Sequence, residues 1–98
     1  AVQIADVPIV LEERPSAHLV STGFDPRAYG LFEGPTSEER GMFDTPASPT
    51  RIVVYWVNLV ADFPDDDDLT EQVGITVAHE IGHYFGLDED DMERLGLD

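Results

Sequence analysis

The sequence predicts an α+β fold in which a small β-sheet packs against one long helix, within a single domain that spans residues 1–98. Short apolar runs rich in β-branched residues predict the strands. A longer stretch, residues 69–85, repeats apolar residues every three or four positions, which predicts a helix. A chain of 98 residues holds one hydrophobic core, and we find no internal repeat that would divide it.

Three runs are predicted as strands. The first is residues 7–13, where Pro8 favours an edge position because proline cannot donate a hydrogen bond to a neighbouring strand. The second is the short apolar piece at residues 29–34. The third, residues 51–60, is apolar on both faces, so we expect it to be covered on both sides. Its polar exception, Asn58, is interpreted as a hydrogen-bonded amide that is either buried or at the end of the strand.

The segments between these elements are predicted to be irregular. Residues 16–27 mix Ser, Gly and Pro and are interpreted as a loop, and residues 35–50 form a longer connection with three prolines. Residues 62–68 are interpreted as a solvated acidic turn, with Asp68 or Thr70 as the N-cap of the long helix. A calcium loop is less favoured because its spaced oxygen ligands and central glycine are missing.

The long helix is predicted to be amphipathic. Its apolar positions are Leu69, Val73, Val77, Ile81, Tyr84 and Phe85. His79, Glu80 and His83 lie off this stripe, on a polar strip beside it. Because a histidine packed in the core would lie on the apolar stripe, this offset favours a functional site.

The helix is predicted to end at Gly86, since glycine readily takes the left-handed backbone conformation of a C-cap. This turn would bring the carboxylates at positions 88–90 back past the two histidines. Residues 90–95 are predicted as a short final helix, with Leu95 and Leu97 packing inward.

Residues 79–89 form the pattern H-E-x-x-H-x-x-G-x-x-E. His79 and His83 are four residues apart, so on a helix they project from the same side, one turn above the other. Two imidazoles in this arrangement bind zinc, and Glu80 between them acts on the metal-bound water. The alternative is chance spacing on an exposed helix, and the glycine turn with a carboxylate beyond it argues against that interpretation.

A catalytic zinc ion takes three protein ligands and keeps one position open for water. Because the chain has no cysteine, the third ligand must be His, Asp or Glu. Glu89, six residues beyond His83 and past the glycine turn, is the preferred candidate, with Asp88 and Asp90 left open as substitutes. The sequence therefore predicts one Zn²⁺ ion, held by His79, His83 and Glu89.

The net charge of −16, from 21 acidic and 5 basic residues, argues against several partners. A chain this acidic repels nucleic acid and anionic membranes, so we expect neither as a partner. Residues 52–61 are too few and too polar to span a bilayer, and residues 1–10 lack the features of a signal peptide. The absence of cysteine fits a reducing compartment, and we expect a cytoplasmic protein.

Four segments carry a resemblance to a known family: YGLFEG at residues 29–34, SEERG at 37–41, RIVVY at 51–55 and EQVGITVAHEIGHYFGLDEDDMERLG at 71–96. On these segments, residues 28–98 resemble the minimal zincin family of small, mostly bacterial, predicted metallopeptidases. The resemblance implies a zincin-like α+β fold with a small mixed β-sheet packed against the active-site helix. The family's motif is similar to H-E-x-x-H-x-x-G-x-x-D, so Glu89 stands where Asp is usual.

Some features depart from related patterns or stay unassigned. The family generally has a helix before the first strand, whereas six residues precede Val7. The methionine turn of metzincins is absent, because Met92 follows Glu89 too closely. The candidates for a transition-state stabiliser share only their residue type and are Tyr29, Tyr55, Tyr84 and His18.

From the motif and the resemblance we predict a zinc metallopeptidase that hydrolyses peptide bonds through a zinc-activated water, with Glu80 as general base. The expected partner is a peptide or protein substrate. The small size of the chain leaves few residues for a substrate cleft and motivates an alternative, a non-catalytic zinc-binding interaction module on a zincin scaffold. A further hypothesis is a degenerate site that binds no metal.

Overall fold

The computed structural model describes residues 7–36 and 50–96, and within these ranges the chain forms three strands and four helices. The strands are β1 (Ile9–Glu12), β2 (Gly30–Glu33) and β3 (Arg51–Tyr55). The helices are α1 (Ala17–Ser21), α2 (Trp56–Asp62), α3 (Asp66–Tyr84) and α4 (Glu89–Leu95). The predicted α+β class is confirmed.

The sheet is mixed and has the strand order β1-β3-β2. Strand β3 lies at the centre, parallel to β1 and antiparallel to β2. Ile52 and Val54 point into the core on the side of α3, while Tyr55 on the opposite face contacts the ring of Phe24. Cover on both faces explains why the sequence of this strand is apolar throughout.

The predicted strand over residues 51–60 is wrong in its second half, because β3 ends at Tyr55 and α2 begins at Trp56. A short apolar run is compatible with a strand or a helix, and the choice here depends on neighbouring segments. The side-chain amide of Asn58 donates to the backbone oxygens of Pro26 and Ala28 at 3.0 and 2.9 Å. The expectation that this amide is hydrogen-bonded is therefore confirmed, but Asn58 is half-buried and lies on a helix rather than being fully buried or at the end of a strand.

Helix α3 starts earlier than predicted, and its N-cap is Asp65 rather than Asp68 or Thr70. The Asp65 carboxylate accepts hydrogen bonds from the backbone N–H groups of Asp67 and Asp68. The following aspartates lie in the first turn, where negative charge interacts favourably with the positive end of the helix dipole. The acidic run is therefore the start of the helix and not a separate turn before it.

The predicted end of the long helix is confirmed. Gly86 has φ +80°, in the left-handed region, and the Leu87 N–H donates to the Gly82 oxygen at 3.0 Å. This arrangement reverses the chain immediately after the second histidine of the motif.

Three smaller predictions need comment. The predicted loop over residues 16–27 contains the short helix α1, whose N-cap Ser16 accepts a hydrogen bond from the Leu19 N–H. Leu95 is 63% exposed and does not pack inward; Met92 is the buried residue of α4 instead. Leu97 and most of the predicted connection over residues 35–50 lie outside the described ranges.

The core lies between the sheet and the apolar stripe of α3. Its buried members are Val7, Ile52, Val54, Leu59 and Tyr84. Packing this stripe on the sheet directs the neighbouring polar strip of α3 toward β2, and so places the motif residues at the edge of the sheet. Within residues 7–36 and 50–96, none of the helices combines the length and apolar character that crossing a membrane requires.

Candidate metal centre

Two helices bring together the residues of the predicted zinc site. His79 and His83 lie on α3, and Glu89 is the first residue of α4. Ligand atoms of these three residues all lie within 4.8 Å of one another. The two imidazole rings are 4.8 Å apart between centroids and nearly perpendicular, at 85°.

The distances within this group fit a zinc ion. One oxygen of Glu89, Oε1, lies 3.3 Å from Nε2 of His79 and 3.3 Å from Nε2 of His83. Ligands at roughly 2.0–2.1 Å from a tetrahedral zinc are separated from one another by about 3.3–3.4 Å. Two imidazole nitrogens and a carboxylate oxygen are also a donor set that zinc takes in catalytic sites. The residues present therefore fit the metal that the motif predicts.

The start of α4 determines which carboxylate reaches the histidines. Asp88 is the N-cap, and its side chain accepts a hydrogen bond from the Asp91 N–H at 2.8 Å. The Asp91 carboxylate accepts one in return from the Asp88 N–H at 3.2 Å, completing a capping box. Asp88 is thus engaged in capping, and the carboxylate that the structure brings to the histidines is that of Glu89, not Asp90.

Glu80 lies beside the candidate metal ligands and is buried, with 7% of its surface exposed. Burial raises the pKa of its carboxyl group above the ordinary value, and the nearby negative charge of Glu89 raises it further. His83 and His79 act in the opposite direction, as does the hydrogen bond from the Phe32 backbone N–H. The carboxyl group that the motif assigns to proton transfer is therefore held against the edge of β2.

A cleft of about 510 Å³ opens in front of these residues. Its lining combines motif residues with side chains and backbone from the β2 region, which are Phe24, Ala28, Gly30, Leu31, Phe32, Thr36, His79, Glu80 and His83. The sequence interpretation missed the β2 contribution.

Gly30 is the residue from which the contribution of β2 to the cleft could have been predicted. A Cβ atom at Gly30 would lie 2.7 Å from Thr76 Cγ2 and 3.3 Å from Glu80 Cγ, so only glycine allows β2 to approach the motif helix this closely.

The four candidates for a transition-state stabiliser lie elsewhere, and none of them lines the cleft formed by the described residues. The Tyr29 hydroxyl donates to the Asp62 carboxylate at 2.6 Å. Tyr55 and Tyr84 are buried, at 1% and 4% exposure, and His18 is exposed on α1. Selecting candidates by residue type alone thus pointed away from the site.

Comparison with known proteins supports the same conclusion as the geometry. A family model described as zincin-like metallopeptidase matches residues 4–97. The chain belongs to the zincin-like metallopeptidase family. The resemblance seen in the sequence is thereby confirmed, and zinc is the metal that membership of this zincin-like family implies. A search of curated proteins finds no match to the chain.

Proposed function

We propose that this zincin-like protein is a zinc-dependent metallopeptidase that holds one Zn²⁺ through His79, His83 and Glu89. The observation that carries the proposal is the convergence of these three donors, with two of their separations at 3.3 Å, beside the buried carboxyl group of Glu80. Zinc bound at such a site supplies a Lewis acid that polarises a carbonyl and makes water a better nucleophile.

Glu80 is the general base in this proposal. Its carboxylate takes the proton of the attacking water and later delivers it to the leaving amine. Burial raises the pKa of Glu80, which brings it closer to neutral pH, where a general base works best. The hydrogen bond from the Phe32 backbone N–H orients the carboxyl group, so that the base does not depend on side-chain packing alone.

Strand β2 offers a binding surface for an extended peptide. Among the described residues it pairs with β3 alone, so its other edge faces the cleft. The Tyr55 N–H donates to the Tyr29 oxygen, and with the strand register this directs the backbone groups of Gly30 and the carbonyl oxygen of Phe32 to that free edge, where the Phe32 N–H already donates to Glu80. A peptide that adds to the edge as a further strand would lie beside Glu80 and the histidines.

The test compares the wild-type protein with Glu80→Gln, both loaded with zinc, on a library of unstructured peptides. We expect the wild type to cut and Glu80→Gln to lose about 10²–10⁴-fold in rate while it still binds one zinc ion, since its ligands are intact. Equal cleavage by the two proteins would contradict the role of Glu80. A zinc-loaded wild type that cuts no peptide would instead favour the non-catalytic zinc-binding module.

A further inference from the structure

Among the described residues of helix α4, one buried side chain packs on α3. Met92 is its buried residue, with 0% of its surface exposed, whereas Leu95 at the end of the same helix is 63% exposed. The Met92 side chain lies on Gly82: a Cβ atom at Gly82 would be 2.9 Å from Sδ and 3.3 Å from Cγ of Met92. Gly82 therefore forms a recess in α3 that the methionine fills.

This contact lies close to the proposed metal ligands on both helices. Gly82 directly precedes His83 on α3, and Met92 is three residues beyond Glu89, less than one turn along α4. A shift of Met92 on Gly82 would therefore also displace the backbone at Glu89, which lies within one turn of it on the same helix.

Glu89 is not itself held in place by packing. Its side chain is 67% exposed, and the capping box of Asp88 and Asp91 fixes the start of α4 but not its placement against α3. The Leu87 N–H donates to the Gly82 oxygen and so fixes the backbone of the turn before α4. Among the described residues of α4, Met92 is the buried side chain that can set how the helix is rotated against α3.

We propose that Met92, packed on Gly82, is a positioning residue for the third metal ligand: it holds α4 so that Glu89 meets His79 and His83. The proposal rests on the ligand set given under the proposed function. Metal sites depend on such support, because a protein side chain binds the metal more tightly when neighbouring residues already hold it in position.

The main test replaces Met92 with alanine and measures zinc affinity by competition with a chelating dye, at a temperature where the metal-free proteins are fully folded. We expect Met92→Ala to weaken zinc binding by about 10–100-fold, the usual effect of losing a residue that supports a ligand. Met92→Leu keeps the volume and should bind nearly as the wild type does. Leu59→Ala is the matched control, since Leu59 is also 0% exposed but lies on α2.

A double-mutant comparison separates positioning from general stability. If Met92 acts through Glu89, the effect of Met92→Ala on zinc affinity disappears in a Glu89→Ala background. Cobalt(II) bound to Met92→Ala should likewise give the visible spectrum of the Glu89→Ala protein rather than that of the wild type. Persistence of the full effect without Glu89, or an equal loss in Leu59→Ala, would overturn the proposal.

Gly82→Ala provides a second variant if Met92→Ala does not fold. It keeps the methionine but displaces it, and alanine favours the helix, so zinc affinity should fall while the metal-free protein stays folded. Unchanged affinity in this variant would also overturn the proposal. If Glu89→Ala alone leaves zinc affinity unchanged, the ligand set is wrong and the positioning role falls with it. Peptide cleavage enters none of these measurements, so they are independent of the peptidase activity.

Discussion

Oε1 of Glu89 lies 3.3 Å from Nε2 of His79, although the two residues belong to different helices. The relationship depends on the chain reversal at Gly86, whose φ of +80° is favourable for glycine and costly for other residues. It adds a carboxylate to the two histidines of the motif and completes a group of three residues that could hold a metal ion.

The first prediction concerns the choice of the third ligand. Glu89→Ala should weaken zinc binding by more than the roughly 10–100-fold that follows loss of a supporting residue, because a ligand itself is removed. Asp90→Ala also removes one negative charge from the exposed first turn of α4, and its zinc affinity should stay within about twofold of the wild-type value. Dye competition measures both, and equal affinities of the two variants would contradict the assignment of Glu89.

The second prediction concerns removal of the metal. Zinc bound to the folded state alone stabilises it by about 4 kcal/mol at a free concentration of 1,000 times Kd. For a domain of this size that corresponds to an increase in Tm of roughly 15 °C or more, and a chelator should reverse it. Calorimetry with and without chelator measures the change. His79→Ala should abolish the response, and His18→Ala, an exposed histidine on α1, should keep it.

The third prediction concerns pH and follows from the burial of Glu80. Burial raises the pKa of Glu80 in the folded state above its unfolded value, so between the two values the folded state holds the proton more strongly. The contribution of Glu80 to the stability of the metal-free wild type should therefore fall as pH rises through this interval and remain lower above it. Below the unfolded pKa, near pH 4, the penalty is absent.

In Glu80→Gln the side chain at position 80 carries no charge at any pH, so this variant should lack the decline. In chelator, it should be more stable than the wild type at pH 7, with the difference shrinking toward pH 4, as urea titrations can measure. Glu71→Gln, an exposed change on the same helix, controls for removing one negative charge from an acidic protein. An equal pH dependence in the two variants would argue against an effect of burial.

The fourth prediction concerns the glycine at which β2 approaches α3. Gly30→Ala should destabilise the protein by about 1–3 kcal/mol, because the new methyl group meets Thr76 and the Val53 oxygen and presses on Glu80. Gly74→Ala is the matched change in open space on α3 and should stabilise by up to about 1 kcal/mol. Denaturant midpoints distinguish the two. A stable Gly30→Ala protein would show that β2 can move away from the motif helix.

Several features of this protein were predictable because their signals are local. The position of α3 follows from its apolar periodicity, and the same-side placement of His79 and His83 follows from their spacing of four residues on a helix. The turn at Gly86 follows from the conformational freedom of glycine. Membership of the zincin-like family, which the motif stretch suggested, is shown by a family model that matches residues 4–97.

Other features were decided by tertiary contacts, which one-dimensional patterns do not contain. The apolar run after Arg51 fits a strand or a helix equally well, and it changes to a helix at Trp56, where Asn58 finds carbonyl partners on another segment. The presence of Glu89 rather than Asp90 beside the histidines depends on how α4 is oriented against α3.

The sequence by itself therefore determined the motif helix and the placement of its two histidines and Glu80 on one polar strip, since helix periodicity and glycine chemistry act over a few residues. Only the tertiary structure decided that Gly30 brings β2 against Glu80 and that Met92 places α4 on Gly82. Both contacts join elements that are distant in the chain or face one another across a turn. Their geometry is set by close packing, in which a single added methyl group already changes the fit.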